Sequence, residues 1–125
     1  MPKLARDGGE VMRMGPVEDR RQDFEGGYTA QITTFDADID ATPFMVGLPG
    51  DACQCPHWGY VLKGRQTYRF ADHEETFEEG DAFYVGPGHI PVVSAGTVLL
   101  QFSPTTELQA TASVMIENAR KMMGG

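Results

Sequence analysis

At 125 residues, with 41% apolar side chains and a formal net charge of −8, the chain has the size and composition of one globular domain with a modest core. That charge argues against a nucleic-acid surface, which needs a basic stripe, and no apolar run reaches the roughly 18 residues of a membrane span. The first residues, from Met1 to Gly9, hold no apolar stretch of signal-peptide type, so a reducing cytoplasm is the expected compartment.

Residues 1–25 mix charges with Gly8-Gly9 and Gly15-Pro16 and read as a loose N-terminal arm that could cover a sheet edge. Residues 26–104 read as a β domain. Tyr28 to Phe35 is rich in β-branched and aromatic residues and predicts a strand. Asp36, Asp38 and Asp40 alternate after it, but an EF-hand loop would need glycine and glutamate where Ala41 and Gly47 stand, so a solvated loop is expected. Pro43 to Leu48 predicts a second strand, stopped by Pro49-Gly50-Asp51. Further strands follow at about 57–63, 66–70, 75–78, 82–85, 92–94 and 97–102, separated by Gly, Pro and Asp turns. His73 falls in a hairpin loop among carboxylates and is expected to be exposed. Thr105 or Thr106 can cap a helix over 105–125, with Leu108, Ala112, Met115, Ile116, Ala119 and Met122 at helical spacing. About eight short strands and one terminal helix describe an all-β sandwich or barrel.

Two stretches concentrate the chemistry. Cys53, Cys55 and His57 alternate ahead of the strand Tyr60-Val61-Leu62, and His89 sits in the Gly/Pro-rich run from Gly80 to Pro91. Two cysteines two positions apart, with no other partner in the chain, make a strained disulfide pair and are expected to be reduced. The order of these signals resembles the cupin superfamily, small jelly-roll barrels whose pocket is lined by two motifs, G-x5-H-x-H-x(3,4)-E-x6-G and G-x5-P-x-G-x2-H-x3-N. Val61-Leu62-Lys63-Gly64 matches the end of the first motif, and Gly80-Asp81 and Gly88 match the second. His57 stands where the family has its glutamate, Cys53 at its second histidine and Asp51 at its first. Pro91 takes the place of the second motif's histidine, with His89 two positions earlier. The resemblance covers residues 40–103 and implies a single-domain cupin jelly-roll barrel with a short C-terminal helix and its own ligand set. A homodimer is also implied.

On a strand, alternate residues share a face, with Cα atoms two positions apart about 6.6 Å from each other. Cys53/Cys55 and Cys55/His57 are therefore bridgeable pairs, whereas Cys53 and His57 lie about 13 Å apart on a straight strand and share an ion only if Pro56 bends the chain. The family fold brings His89 near this strand. Thiolate and imidazole suit zinc first, with iron or nickel behind. Cysteines are also common as small buried apolar residues and single histidines as satisfied polar groups, so each residue alone has a structural explanation.

Tyr60, Phe83 and Gln101 are the candidate pocket-lining residues. Gln101 interrupts the apolar run from Val98 to Phe102; facing inward it needs a hydrogen-bond partner, and facing outward it carries no meaning. Three functions stand open. One is a metal-dependent enzyme acting on a small organic molecule by zinc-type lyase, isomerase, cyclase or hydrolase chemistry. The second is a non-catalytic module that binds a small ligand or senses metal. The third is a structural zinc site closed by all four ligands.

Overall fold

Ten short strands and one helix make up the described residues, 3–122, of the computed structural model. Two antiparallel sheets carry the strands. The six-stranded sheet runs β1 (Glu10–Met14), β2 (Val17–Phe24), β3 (Tyr28–Phe35), β10 (Val98–Pro104), β5 (His57–Lys63) and β8 (Ala82–Val85). The four-stranded sheet runs β4 (Ile39–Asp40), β9 (Ile90–Val93), β6 (Arg65–Arg69) and β7 (Glu74–Glu78). The helix α1 spans Thr105–Met122; the remaining residues assigned to it from sequence, 123–125, lie outside the described set.

Residues 1–25 are not the expected loose arm from end to end. β1 and β2 form a hairpin that extends the larger sheet, with β2 fully registered on β3. The strand escapes an apolar-alternation reading because its inward residues are charged. Asp19 and Arg21 face the interior and pair with one another at 2.6 Å, which replaces the usual apolar side chains with a neutral couple.

Pro43 to Leu48 is likewise no strand. Two 3-10 turns, Thr42–Phe44 and Pro49–Asp51, occupy this region. Pro43 presets a helical φ at the start of the first turn, and the Asp40 carboxylate accepts from Thr42 N at 3.0 Å and Thr42 Oγ1 at 2.6 Å. Each loop carboxylate has its own partner: Arg13 for Asp36 and the Ala95 amide for Asp38, while Asp40 also receives Arg69. They do not converge on a shared site.

The apolar interior divides into two clusters. Val61, Tyr68, Phe83, Val85 and Leu99 pack one end, while Ala41, Met45, Cys53, Cys55 and Leu108 pack the end nearest the helix. Helix α1 turns Leu108, Thr111, Met115 and Ala119 toward the barrel at the spacing its sequence predicts. Glu107 in its first turn and Arg120 and Lys121 in its last complement the helix dipole. Asn118 Nδ2 donates to the carbonyls of Phe44 and Val46, both at 2.8 Å, which ties the helix to the 3-10 segment. No helix among the described residues is long and apolar enough to cross a membrane.

Candidate metal centre

Cys53 and His89 are brought together by backbone. They form an isolated antiparallel bridge, with Cys53 N donating to His89 O at 2.8 Å and His89 N to Cys53 O at 3.2 Å. Side chains directly opposite in such a pair stand side by side on one face. Gly88, at a φ of +94°, permits the tight turn that presents His89, and its amide also donates to Cys53 O at 2.8 Å.

Strand β5 begins only at His57, so Cys53 and His57 do not lie on one straight strand. The irregular run around Pro56 shortens the distance that a strand would impose, and Cys53 Sγ lies 4.0 Å from His57 Nε2. The His57 and His89 rings are 5.0 Å apart between centroids. One donor atom from each of Cys53, His57 and His89 falls within 4.8 Å of the others, and all three residues are buried. Cys55 does not join them. Its thiol donates to Pro56 O at 3.5 Å, and the side chain is wholly buried in the apolar cluster with Met45 and Leu108. Both cysteines are free thiols. The sequence-based pairs through Cys55 thus give way to the pair that required a bend.

The ring orientations are set from outside the trio. His89 Nδ1 lies 2.6 Å from Gly86 O, and because a carbonyl only accepts, Nδ1 carries the proton. The neutral ring then presents the lone pair of Nε2, which is buried and has no hydrogen-bond partner among the described residues. His57 Nδ1 is hydrogen-bonded to Ser103 Oγ at 2.7 Å, leaving Nε2 toward Cys53. Burial, reinforced by the neighbouring His89, pushes the His57 pKa down to about 3, and burial lowers that of His89 too. Burial raises the Cys53 thiol, and with Cys53 close by it pushes Cys55 up to about 12. Two neutral imidazoles and a thiol with no charged partner are costly to bury unless something receives the open lone pairs. That is the condition a metal ion meets, and the donor set fits one.

Beside the trio lies a cavity of about 450 Å³. Met12, Met14, Phe44, Met45, Met115 and Ile116 give it largely apolar walls; Cys53, His57 and Tyr68 also line it. The Tyr68 ring meets His89 edge-on at 5.0 Å. The candidate pocket residues separate. Gln101 lies in the cavity wall. Tyr60 points outward and is 40% exposed, because the alternation of β5 from an inward His57 turns Gly59 and Val61 in and Trp58 and Tyr60 out. Phe83 is buried behind Tyr68 and stacked on Phe77 at 4.9 Å, and it does not line the cavity. His73 is on the surface between Asp72 and Glu75, whose hydrogen bonds raise its pKa.

Sequence reading missed Ser103, Gln31, Gln66 and Tyr68. Ser103 was findable, since it sits two residues from Gln101 on the same face of β10.

No protein-family model and no curated protein matches this sequence. Solved structures do match. An RmlC-like cupin from Shewanella frigidimarina aligns with a TM-score of 0.57 at 19% identity, over 81% of this chain and 88% of that one. KdgF from Halomonas sp. aligns with a TM-score of 0.57 at 16% identity, over 83% and 94%. A cupin superfamily protein from Desulfitobacterium hafniense aligns with a TM-score of 0.54 at 14% identity, over 74% and 81%. Two antiparallel sheets closed around a pocket, a terminal helix and these likenesses define the fold: the chain has the jelly-roll fold of the cupin structures it resembles.

Proposed function

We propose that the protein is a metal-binding cupin that takes a small organic molecule in its cavity, with Cys53, His57 and His89 holding one divalent ion. The observation that carries this reading is the buried, unpartnered His89 Nε2 within 4.8 Å of donors from the other two residues. One thiolate and two imidazoles suit zinc, ahead of iron or nickel. Three protein ligands leave a tetrahedral ion one open position, whereas a structural site is closed by four, and Cys55 does not converge with the trio. When bound, such an ion polarises an oxygen of a small molecule or activates water, the basis of non-redox lyase, isomerase, cyclase or hydrolase chemistry. The chain's own part is to fix the His89 tautomer through Gly86, to orient the His57 ring through Ser103, and to exclude water with apolar walls.

A binding module without turnover is the second reading. It is favoured by the lining residues described, whose one carboxylate, Asp19, has both oxygens engaged by Arg21, Gln31 and Thr33 and is not free to act as a base. The homodimer implied by the cupin resemblance is retained as part of the proposal.

Elemental analysis of protein purified and dialysed without chelator tests the metal directly. Near one equivalent of a first-row divalent metal per chain is expected, and none after reloading with zinc sinks the reading. Ser103→Ala, which frees the His57 ring, is expected to weaken metal affinity about tenfold in a competition titration with a chromophoric chelator. Affinity equal to that of the unaltered protein would remove Ser103 from the site.

A further inference from the structure

The inner face of the larger sheet carries a row of side chains set by strand register. Arg21 on β2 opposes Gln31 on β3, Gln31 opposes Gln101 on β10, and Gln101 opposes Gly59 on β5. Hydrogen bonds fix the direction of this row. The Asp19 carboxylate accepts only, and its Oδ1 takes Gln31 Nε2 at 2.9 Å and Thr33 Oγ1 at 2.9 Å. Gln31 must therefore turn its Oε1 the other way, where it receives Gln101 Nε2 at 3.4 Å. Gln101 has no freedom left: its Oε1 is the end of the relay. That atom is buried and without a partner among the described residues. Across the cavity, Gln66 on β6 is 1% exposed, spends its Nε2 on Thr67 O, and also leaves a buried, unpartnered Oε1. Both residues line the cavity.

Their placement relative to the trio is also fixed. Gln101 and Ser103 are two apart on β10, and Ser103 touches His57; Gln66 and Tyr68 are two apart on β6, and Tyr68 touches His89. Each glutamine's Cα thus stands two positions, roughly 6.6 Å along its strand, from that of a residue that contacts the candidate metal ligands. Arg21 is the one Lys or Arg among the described lining residues, and its Nε and Nη2 are both on Asp19 Oδ2, at 2.9 and 2.6 Å. No uncommitted basic side chain awaits an anion beside the glutamines.

We infer that the part of the cavity lined by Gln101 and Gln66 selects an uncharged, hydrogen-bond-donating group of a largely apolar molecule, a hydroxyl or N–H, that is received by Gln101 Oε1, with Gln66 Oε1 receiving a second donor where the molecule has one. An acceptor-only group, such as a carboxylate or ether oxygen, meets like dipoles at both positions and is refused. A buried acceptor that gains a partner only from the right ligand discriminates strongly against the analogue that lacks it. This rests on the reading of the cavity as a small-molecule site, and it deepens that reading by naming the class.

The test uses cyclohexylmethanol, its methyl ether and cyclohexanecarboxylate as probes on the full chain, by protein-observed NMR titration, with metal content measured on the same samples. The alcohol is expected to bind about tenfold more tightly than the ether and to move the side-chain amide signals of Gln101 and Gln31, which the carboxylate leaves in place. In Gln101→Leu the preference for alcohol over ether falls to within about twofold, and in Gln66→Leu it is reduced or unchanged for this single-donor probe while the protein still folds. A ratio near one in the unaltered protein, a ratio that survives Gln101→Leu, or a carboxylate that moves the Gln101 amide signal as the alcohol does overturns the inference and leaves the cavity reading standing. Binding by none of the three overturns both together, and the metal content reports separately on the ligand trio.

Discussion

Cys53→Ala is expected to lower metal affinity by more than about 100-fold, and Cys55→Ala to leave it within about threefold of the unaltered protein. Loss of groups that merely orient metal ligands already costs 10- to 100-fold, so loss of a ligand itself exceeds that. The contrast is what matters, because both cysteines are buried and only two positions apart. Both variants lose a small buried side chain, so a general packing defect would affect them alike. His89→Ala should match Cys53→Ala. Elemental analysis with a competing chelator reads all three variants. If Cys55→Ala strips the metal as thoroughly as Cys53→Ala, the trio is the wrong set.

Gly64→Ala is expected to destabilise the protein by about 2–4 kcal/mol, from the cost of a positive φ plus that of overpacking. Gly64 turns β5 into β6 at a φ of +86°, and a Cβ there would lie 2.5 Å from Thr97 Oγ1 and 2.7 Å from Thr97 Cα. Thr97 cannot give way. It is wholly buried, and its hydroxyl both receives Arg65 N at 3.0 Å and donates to Arg65 O at 3.1 Å. A domain of this size has only 5–15 kcal/mol in total, so urea unfolding should show a marked fall in midpoint. A shift worth less than about 0.5 kcal/mol would mean that the turn relaxes freely.

Gly64 also shows why the barrel was legible. Its position closes a strand with local turn chemistry, and local chemistry is what a sequence displays. The strands at 57–63 and 82–85 carried both alternation and flanking turns, and the helix carried its apolar spacing. The N-terminal hairpin carried turn residues at Gly8-Gly9 and Gly15-Pro16 but no apolar alternation, because its inward Asp19 and Arg21 are charged and neutralise one another two positions apart on β2. Pro43 to Leu48 had strand composition, but the hydrogen bonds from Thr42 to Asp40 hold a tighter turn there. At the candidate centre, residue types were readable and membership was not. Whether Cys53 or Cys55 faces His57 depends on a bend of a few residues and on pairing with Cys53 from a turn more than thirty positions away. Tyr60 fell outside for a simpler reason: once His57 points in, the pleat dictates the rest of β5.

The helix over the cavity has a consequence for how such a protein diversifies. The polar part of the cavity is written on strands, where a change at Gln31 or Gln101 disturbs a relay and its neighbours. A share of the apolar part is written on α1, whose backbone hydrogen bonds are its own. Substitutions at Met115 or Ile116 can therefore enlarge, narrow or reshape the space without altering strand register. Part of the volume a molecule must fill is thus inherited on a segment separate from the groups it must meet, and evolution can revise that part while conserving those groups.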